Sequence, residues 1–229
     1  GKRLAGREEE DVYRAMGLPW IPPELREDTG EIEAALKQQL PRLVTEQDLC
    51  GDFHVHTNKT DGKDTLETMV ETARARGYRY VAICDHSQSL LVARGLSEAA
   101  LKDHMARMTA LNKRFKNFRI LMGSEVDILT RGVMDYPNDL LRRLDFVIGS
   151  IHSGFKQDEA TITTRIVKAM ENPYVTMIAH PTGRLIGQRE PYAVDLDRIF
   201  RVARETRTAL ELNAQPKRLD LTDVMARRA

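Results

Sequence analysis

The 229-residue sequence predicts an α/β fold in which parallel strands alternate with helices. Six short apolar runs are each followed by a stretch with helical periodicity, the order expected of right-handed β/α crossovers. Most of these runs end on or just before a histidine or a glutamate, and no glycine-rich phosphate loop follows the first run. These observations favour a β/α barrel over an open nucleotide-binding sheet.

The strands and helices follow one another in order after residue 50. The first helix, over residues 64–77, places Leu66, Val70 and Ala73 on one face and ends at a glycine. Ser97 can cap the second helix, which extends to about Phe115. The predicted strands cover residues 52–56, 81–86, 119–125, 145–152, 174–179 and 208–213, and the remaining helices cover 136–143, 159–170, 195–206 and 221–228.

The first 50 residues have a different composition. They contain four prolines and the only tryptophan, Trp20. Prolines at this density prevent one continuous helix, so the segment predicts two short helices, over residues 8–16 and 30–40, joined by an extended turn. We interpret residues 1–50 as a connector.

Composition excludes several classes of function. The 35 basic and 34 acidic residues leave a net charge of +1, so no strong global field attracts the protein to nucleic acid or membrane. The sequence has neither an apolar run of about 18 residues nor the pattern of a signal peptide. We therefore expect a cytoplasmic protein with no membrane partner.

The polar residues at the strand ends predict a metal site. His54 and His56 are two residues apart on a strand and therefore share a face. Imidazole and carboxylate donors without thiolates suit zinc, manganese or iron, and more than four of them imply more than one ion. Two or more ions are suited to phosphoester hydrolysis. The candidate ligands are His54, His56, Asp61, His86, Glu125, His152 and His180.

Two further residues near these positions have simpler interpretations. His104 lies beside the apolar stripe of its helix, and we expect it to be structural. Asp85 precedes His86, and the sequence leaves two roles open for it. It either orients a ligand imidazole or makes local hydrogen bonds at the strand end.

The order of the seven candidate ligands resembles the PHP (polymerase and histidinol phosphatase) superfamily, a distorted seven-stranded β/α barrel of metal-dependent phosphoesterases. Residues 18–26 are similar to the segment that joins the body of a bacterial family X DNA polymerase to its PHP domain. The resemblance implies that residues 1–50 are the connector from the polymerase body. Residues 51–229 would then be a PHP phosphoesterase domain that is truncated before the seventh strand. The segments 51–57, 135–137, 150–155, 180–184 and 211–214 carry the likeness to family X.

The resemblance also implies up to three divalent ions. The expected ligand sets are His54, His56 and Glu125 for the first ion, Glu125, His152 and His180 for the second, and Asp61 and His86 for the third. The family supplies one more ligand each to the first and third ions through an Asp-x-His motif after the seventh strand. This sequence has no such motif, so we expect one complete and two incomplete sites.

The activity implied is that of a 3′-5′ exonuclease acting on single-stranded or gapped DNA 3′ ends, as part of a family X repair polymerase. Glu125, His54 and His56 are expected to be catalytic. Two alternatives stay open, a phosphomonoesterase of the histidinol-phosphatase type and a non-catalytic scaffold for the polymerase. The residues expected to hold the DNA backbone are Arg184, Lys217 and Arg218.

Overall fold

A computed structural model describes residues 5–229 of the chain. The chain divides into two compact units, with the boundary between Asp48 and Leu49. Among the described residues, no helix combines the length and apolar character needed to cross a membrane.

The first unit contains two short helices, α1 (Glu9–Ala15) and α2 (Glu31–Leu36). Arg26 connects two parts of this unit by hydrogen bonds to Glu9. Its guanidinium makes two hydrogen bonds to the carboxylate of Glu9, at 2.8 and 2.7 Å, and the indole of Trp20 donates to the same carboxylate at 3.0 Å. The bidentate pair connects the start of α1 to the turn after the proline-rich segment.

The second unit contains one parallel sheet of six strands in sequential order. Sequential order follows from a helix or loop crossover after each strand. The strands are β1 (Gly51–Val55), β2 (Tyr80–Ile83), β3 (Arg119–Asp127), β4 (Phe146–Ser150), β5 (Met177–Ile178) and β6 (Ala209–Leu210).

Most helices of this unit begin at side-chain caps. Thr65, Ser97, Asp158 and Asp195 each accept a hydrogen bond from a backbone N–H in the first turn of their helix. These caps satisfy donors that have no partner within the helix. The helices are α3 (Leu66–Ala75), α4 (Glu98–Asn112), α5 (Asn138–Leu141), α6 (Glu159–Met170), α7 (Leu196–Thr206) and α8 (Asp223–Arg228).

The sheet is curved, and its two sides pack against different partners. On β2, Val81 and Ile83 point into the main core with the helices, while the alternate residues point the other way. Phe53 of β1 stacks on Phe146 of β4, with ring centroids 4.9 Å apart. Side chains from non-adjacent strands meet only on a concave surface, so the sheet curves like part of a barrel. The inner cluster consists of Ala82, Cys84, Ile148, Met177 and Ala179.

The predicted α/β fold with parallel strands is confirmed. The predicted bounds of the helix over 159–170 agree with α6, and Ser97 caps α4 as expected. The last two strands are shorter than predicted, because only two residues each of β5 and β6 are paired in the ladder. The apolar pattern over residues 174–179 indicates burial, and four of these six residues are buried while the other two are partly exposed.

Candidate metal centre

The candidate ligands come together at the carboxyl ends of the strands. Glu125 lies on the inner side of β3, and its side chain is 2% exposed. The two predicted first-strand histidines face it together, as the spacing of two residues required. Nε2 of His54 lies 3.2 Å from Oε2 of Glu125, and Nε2 of His56 lies 3.4 Å from the same oxygen. Nδ1 of His86 approaches this oxygen to 3.0 Å.

The other oxygen of Glu125 faces the later strands. Nε2 of His180 lies 3.0 Å from Oε1, and Nε2 of His152 lies 3.3 Å from it. The hydroxyl of Ser150 donates to Oε1 at 2.7 Å. The carboxylate is therefore divided between two groups of imidazoles, one on each side.

Asp61 lies at the open edge of this cluster. Its two oxygens are each 3.4 Å from an imidazole nitrogen, Nδ1 of His56 and Nε2 of His86. About half of its side chain is exposed to solvent. The loop after β1 thus folds back over the strand ends, as predicted from the sequence.

Several buried imidazole nitrogens in this cluster make no hydrogen bond among the described residues, although three of them lie 3.0–3.4 Å from a carboxylate oxygen. They are Nε2 of His54, Nδ1 of His56, Nδ1 of His86 and Nδ1 of His180. Buried polar atoms are normally hydrogen-bonded, so these atoms call for a ligand. Nitrogen and oxygen donors of this kind fit zinc, manganese or iron.

Among residues 5–229, three groups of donor atoms lie close enough to hold an ion, with the atoms of each group within 4.8 Å of one another. The groups are His54, His56 and Glu125; His56, Asp61 and His86; and His86, Glu125 and His152. The first group coincides with the predicted first set, and the second adds His56 to the predicted pair of Asp61 and His86. The third group combines residues that the sequence assigned to different ions.

Two carboxylates that sequence reasoning did not select orient the imidazoles. Asp127 accepts at 2.5 Å from Nδ1 of His152, and Oε1 of Glu211 lies 2.7 Å from Nδ1 of His54. A carboxylate on the far nitrogen fixes the ring and directs Nε2 toward the centre. The alternation of side chains along β3 places Asp127 on the same side as Glu125, which is a signal that could have identified it.

His180 reaches the centre through an unusual backbone. The preceding Ala179 points to the inner cluster, so a regular strand would turn His180 outward. Instead its φ is +29°, and its N–H donates to Oε2 of Glu211 at 2.7 Å. Unfavourable backbone angles of this kind persist where the surroundings fix them, and they cluster at functional sites.

Asp85 takes the second of its two predicted roles. Its carboxylate accepts hydrogen bonds from the N–H and hydroxyl of Thr57, at 2.8 and 2.7 Å, and from the hydroxyl of Thr60 at 2.5 Å. Nε2 of His104 lies 3.0 Å from it. Adjacent residues of a strand face opposite sides, so Asp85 points away from the cluster that His86 joins.

The electrostatics of the cluster keep Glu125 ionised. Burial alone would raise the pKa of Glu125, but the positive charge of His54 and the contacts with neighbouring imidazoles lower it well below its usual value. Burial would likewise lower the pKa of His54, but the carboxylates of Glu125 and Glu211 raise it to about 10. A buried carboxylate surrounded by imidazoles is a suitable centre for cations.

The cluster forms one wall of a cavity of about 420 Å³, and all seven candidate ligands line it. Of the three predicted backbone-binding residues, Arg218 lines the cavity. The guanidinium of Arg184 donates instead to the backbone carbonyls of Arg218 and Leu219, and Lys217 is exposed away from the lining. Arg189, which we did not predict, also lines the cavity and stacks over Phe155, 4.1 Å from its ring centroid.

Residues 52–215 match the model of the PHP domain. The chain belongs to the PHP domain family. Residues 1–27 match the DNA polymerase beta thumb, so part of the predicted connector is similar to a polymerase element. The PHP resemblance inferred from the seven candidate ligands is thereby confirmed.

The relatives of this PHP domain include proteins of two descriptions. The chain is 47% identical over 213 residues to the DNA polymerase/3′-5′ exonuclease PolX of Bacillus subtilis, covering 93% of this chain and 37% of PolX. It is 30% identical to a probable phosphatase of Acetivibrio thermocellus and 31% identical to one of Syntrophotalea carbinolica. In each of these two matches the alignment covers 71% of this chain and 64% of the relative. The chain therefore spans little more than a third of PolX and just under two thirds of the two phosphatases.

A solved structure has the same fold. Histidinol phosphate phosphatase from Lactococcus lactis, complexed with zinc, L-histidinol and phosphate, superposes with a TM-score of 0.50 at 16% identity. The match covers 71% of this chain and 72% of that one. The similarity supports the β/α fold of the PHP domain described above.

Proposed function

We propose that this PHP domain is a metal-dependent phosphodiesterase that removes nucleotides from the 3′ ends of DNA. The division of the Glu125 carboxylate is the observation that carries the proposal, because one oxygen faces three histidines and the other faces two. A carboxylate in this position can bridge two cations and reduce their mutual repulsion.

We keep the ligand sets expected from the sequence as the proposal for which residues hold each ion. His54 and His56 would bind one ion with Oε2 of Glu125, and His152 and His180 would bind a second with Oε1. Asp61 and His86, whose Oδ2 and Nε2 are 3.4 Å apart, would bind a third. Ions bound here would activate a water for attack on phosphorus and neutralise charge on the departing oxygen.

The protein side chains hold this machinery in place and receive the substrate. Glu125, His54 and His56 are the proposed catalytic residues, since each faces the point where the ligand sets meet. Arg218 lines the same cavity, so its guanidinium is placed to pair with a phosphate anion. The predicted roles of Arg184 and Lys217 in backbone binding stay predictions.

DNA is proposed as the substrate because the chain is 47% identical, over 93% of its length, to a protein named as a polymerase and 3′-5′ exonuclease, and because residues 1–27 match a polymerase thumb. A polymerase body in the same protein and single-stranded or gapped DNA are accordingly the proposed partners. We further propose residues 1–50 as the connector to that body and residues 51–229 as the phosphoesterase domain.

A second candidate is a phosphomonoesterase. Relatives named as probable phosphatases align over 71% of this chain, and the solved phosphatase structure of the same fold contains zinc and phosphate. The cavity is large enough for a small phosphate ester, since small-molecule sites commonly occupy roughly 300–1,000 Å³.

One assay separates the two candidates and the scaffold alternative. The chain, supplied with Mn²⁺, is incubated with a 5′-labelled single-stranded oligonucleotide and, in parallel, with p-nitrophenyl phosphate and histidinol phosphate. A ladder of products shortened from the 3′ end, abolished by a chelator and in His152→Ala, supports the phosphodiesterase. Release of phosphate from the small esters alone would favour the phosphomonoesterase, and no turnover of any substrate would favour the scaffold.

A further inference from the structure

One strongly exposed apolar side chain, that of Val92, lines the mouth of the candidate metal cavity, and its neighbour Leu91 is also strongly exposed. Leu91 is 81% exposed and Val92 is 93% exposed, and both lie on a single 3-10 turn, Leu91–Ala93, after β2. The cavity that contains the candidate metal ligands is lined on this side by Leu90, Val92 and Ala93. A polar, metal-binding cavity thus has an apolar rim on one side.

This apolar rim is fixed in position. Gln88 and Ser89, just before the turn, are hydrogen-bonded to Asp135 in the loop after β3. The N–H of Ser89 donates to the carboxylate of Asp135 at 2.7 Å, and the side-chain amide of Gln88 donates to its backbone carbonyl at 3.1 Å. The segment after the turn returns to the strand end, where the N–H of Leu96 donates to the carbonyl of His86 at 2.9 Å. A contact made by side chains on such a rigid turn costs little ordering entropy.

The size of the cavity limits what can lie against the rim. A volume of about 420 Å³ accommodates a group the size of a small molecule. A DNA duplex, whose major groove alone is about 12 Å wide, is too large to enter. A phosphodiester that reaches the metal ligands must therefore belong to an unpaired strand end, and the bases just inside that end must pass the rim.

We propose that Leu91 and Val92 form a base-contacting rim that binds the unpaired nucleobases adjacent to the 3′ end being cut. Apolar side chains of this kind contact and unstack bases in other DNA-binding proteins. The inference rests on the proposed phosphodiesterase function and adds that the enzyme selects unpaired DNA through its bases as well as its phosphates.

The test compares oligonucleotides with and without bases at the rim. The substrates are a single-stranded oligonucleotide and the same strand with abasic tetrahydrofuran residues at the two nucleotides preceding the 3′ terminal one. The ratio of kcat/KM for the two substrates is measured for the parent, for the double variant Leu91→Ser with Val92→Ser, and for Val224→Ser. Val224 is the matched control, because it is 62% exposed on α8 and does not line the cavity.

We expect the parent to favour the base-containing strand by roughly tenfold, which corresponds to partial burial of two aliphatic side chains. The double variant should bring this ratio close to one, while Val224→Ser keeps the parent ratio. A double variant that retains the parent ratio, or that slows both substrates equally, would overturn the proposal.

A binding measurement tests the base-contacting rim independently of whether the proposed exonuclease function is correct. Fluorescence anisotropy with the same two oligonucleotides, in the presence of a chelator, requires no turnover. Tighter binding of the base-containing strand that is lost in the double variant supports the rim even if no exonuclease activity is found. Equal binding of both strands by the parent would refute the rim even if the exonuclease activity is present.

Discussion

His54 and Glu211 connect the two ends of the sheet through a contact of 2.7 Å between Nδ1 and Oε1. His54 lies on β1 and Glu211 directly follows β6, so strands at opposite ends of the strand order meet at the candidate metal centre. The other oxygen of Glu211 accepts from the N–H of His180. One carboxylate therefore positions a candidate ligand from each side of Glu125.

The first prediction concerns this carboxylate. Glu211→Gln keeps the size of the side chain but removes its charge, so the His54 ring loses its anionic partner. We expect the affinity for Mn²⁺ or Zn²⁺ to fall by about 10- to 100-fold, the usual effect of removing a residue that orients a ligand. Competition with a chromophoric chelator measures this change. Glu190→Gln, at an exposed position, is the control, and equal affinities in the two variants would contradict the orienting role.

The second prediction concerns Asp85, which holds the loop between His56 and Asp61. Its carboxylate satisfies donors on Thr57 and Thr60, and all of them are buried. Asp85→Ala leaves these donors without a partner, so the free energy of unfolding should fall by about 3–5 kcal/mol.

Urea denaturation followed by circular dichroism measures this loss. Asp139→Ala is the control, because its side chain is 90% exposed and surface changes usually alter stability by within about 0.5 kcal/mol. If the two variants unfold at the same urea concentration, the hydrogen bonds of Asp85 do not stabilise the loop.

Much of the fold and of the candidate site could be predicted from the sequence, for identifiable physical reasons. Apolar periodicity and the capping residue Ser97 are local signals, and the helices that they mark are present. The candidate ligands could be selected because parallel strands bring their carboxyl ends to one edge, and because alternation fixes which residues of a strand share a face.

The residues that sequence reasoning missed act over long distances in the chain. Glu211 is 157 residues from His54, so no local pattern reveals their contact. The backbone of His180, with a positive φ, breaks the alternation on which the prediction relied. Arg189 was missed because its place in the cavity depends on how the loop after β5 folds against Phe155.

The third prediction separates the ion at the open edge from the other two. Asp61 contacts only His56 and His86 in the cluster, and about half of its side chain is exposed. Asp61→Ala should lower occupancy of the third ion and leave the ions beside Glu125 in place. Elemental analysis after dialysis against a limiting concentration of Mn²⁺ measures occupancy, with Asp64→Ala as the control. Loss of every ion in Asp61→Ala would show that the sites are not separable.

The fourth prediction is that metal stabilises the folded chain. Ions that bind the assembled ligands and not the unfolded chain add about 2.7 kcal/mol at a concentration 100 times Kd. We therefore expect Mn²⁺ or Zn²⁺ to raise the Tm of the parent by several degrees, and a chelator to reverse the change. Differential scanning calorimetry tests this. A Tm that does not respond to metal would argue against binding at the cluster.

The central claim is that Glu125 bridges two ions, and the most direct test is the number of Mn²⁺ ions bound by the parent and by Glu125→Ala at equal free metal. Because Glu125 presents one oxygen to each group of histidines, its removal should cost two ions per chain while circular dichroism shows an intact fold. Loss of two ions supports the account. An unchanged metal count in the folded variant would contradict the bridging role and the multi-metal phosphodiesterase proposed from it.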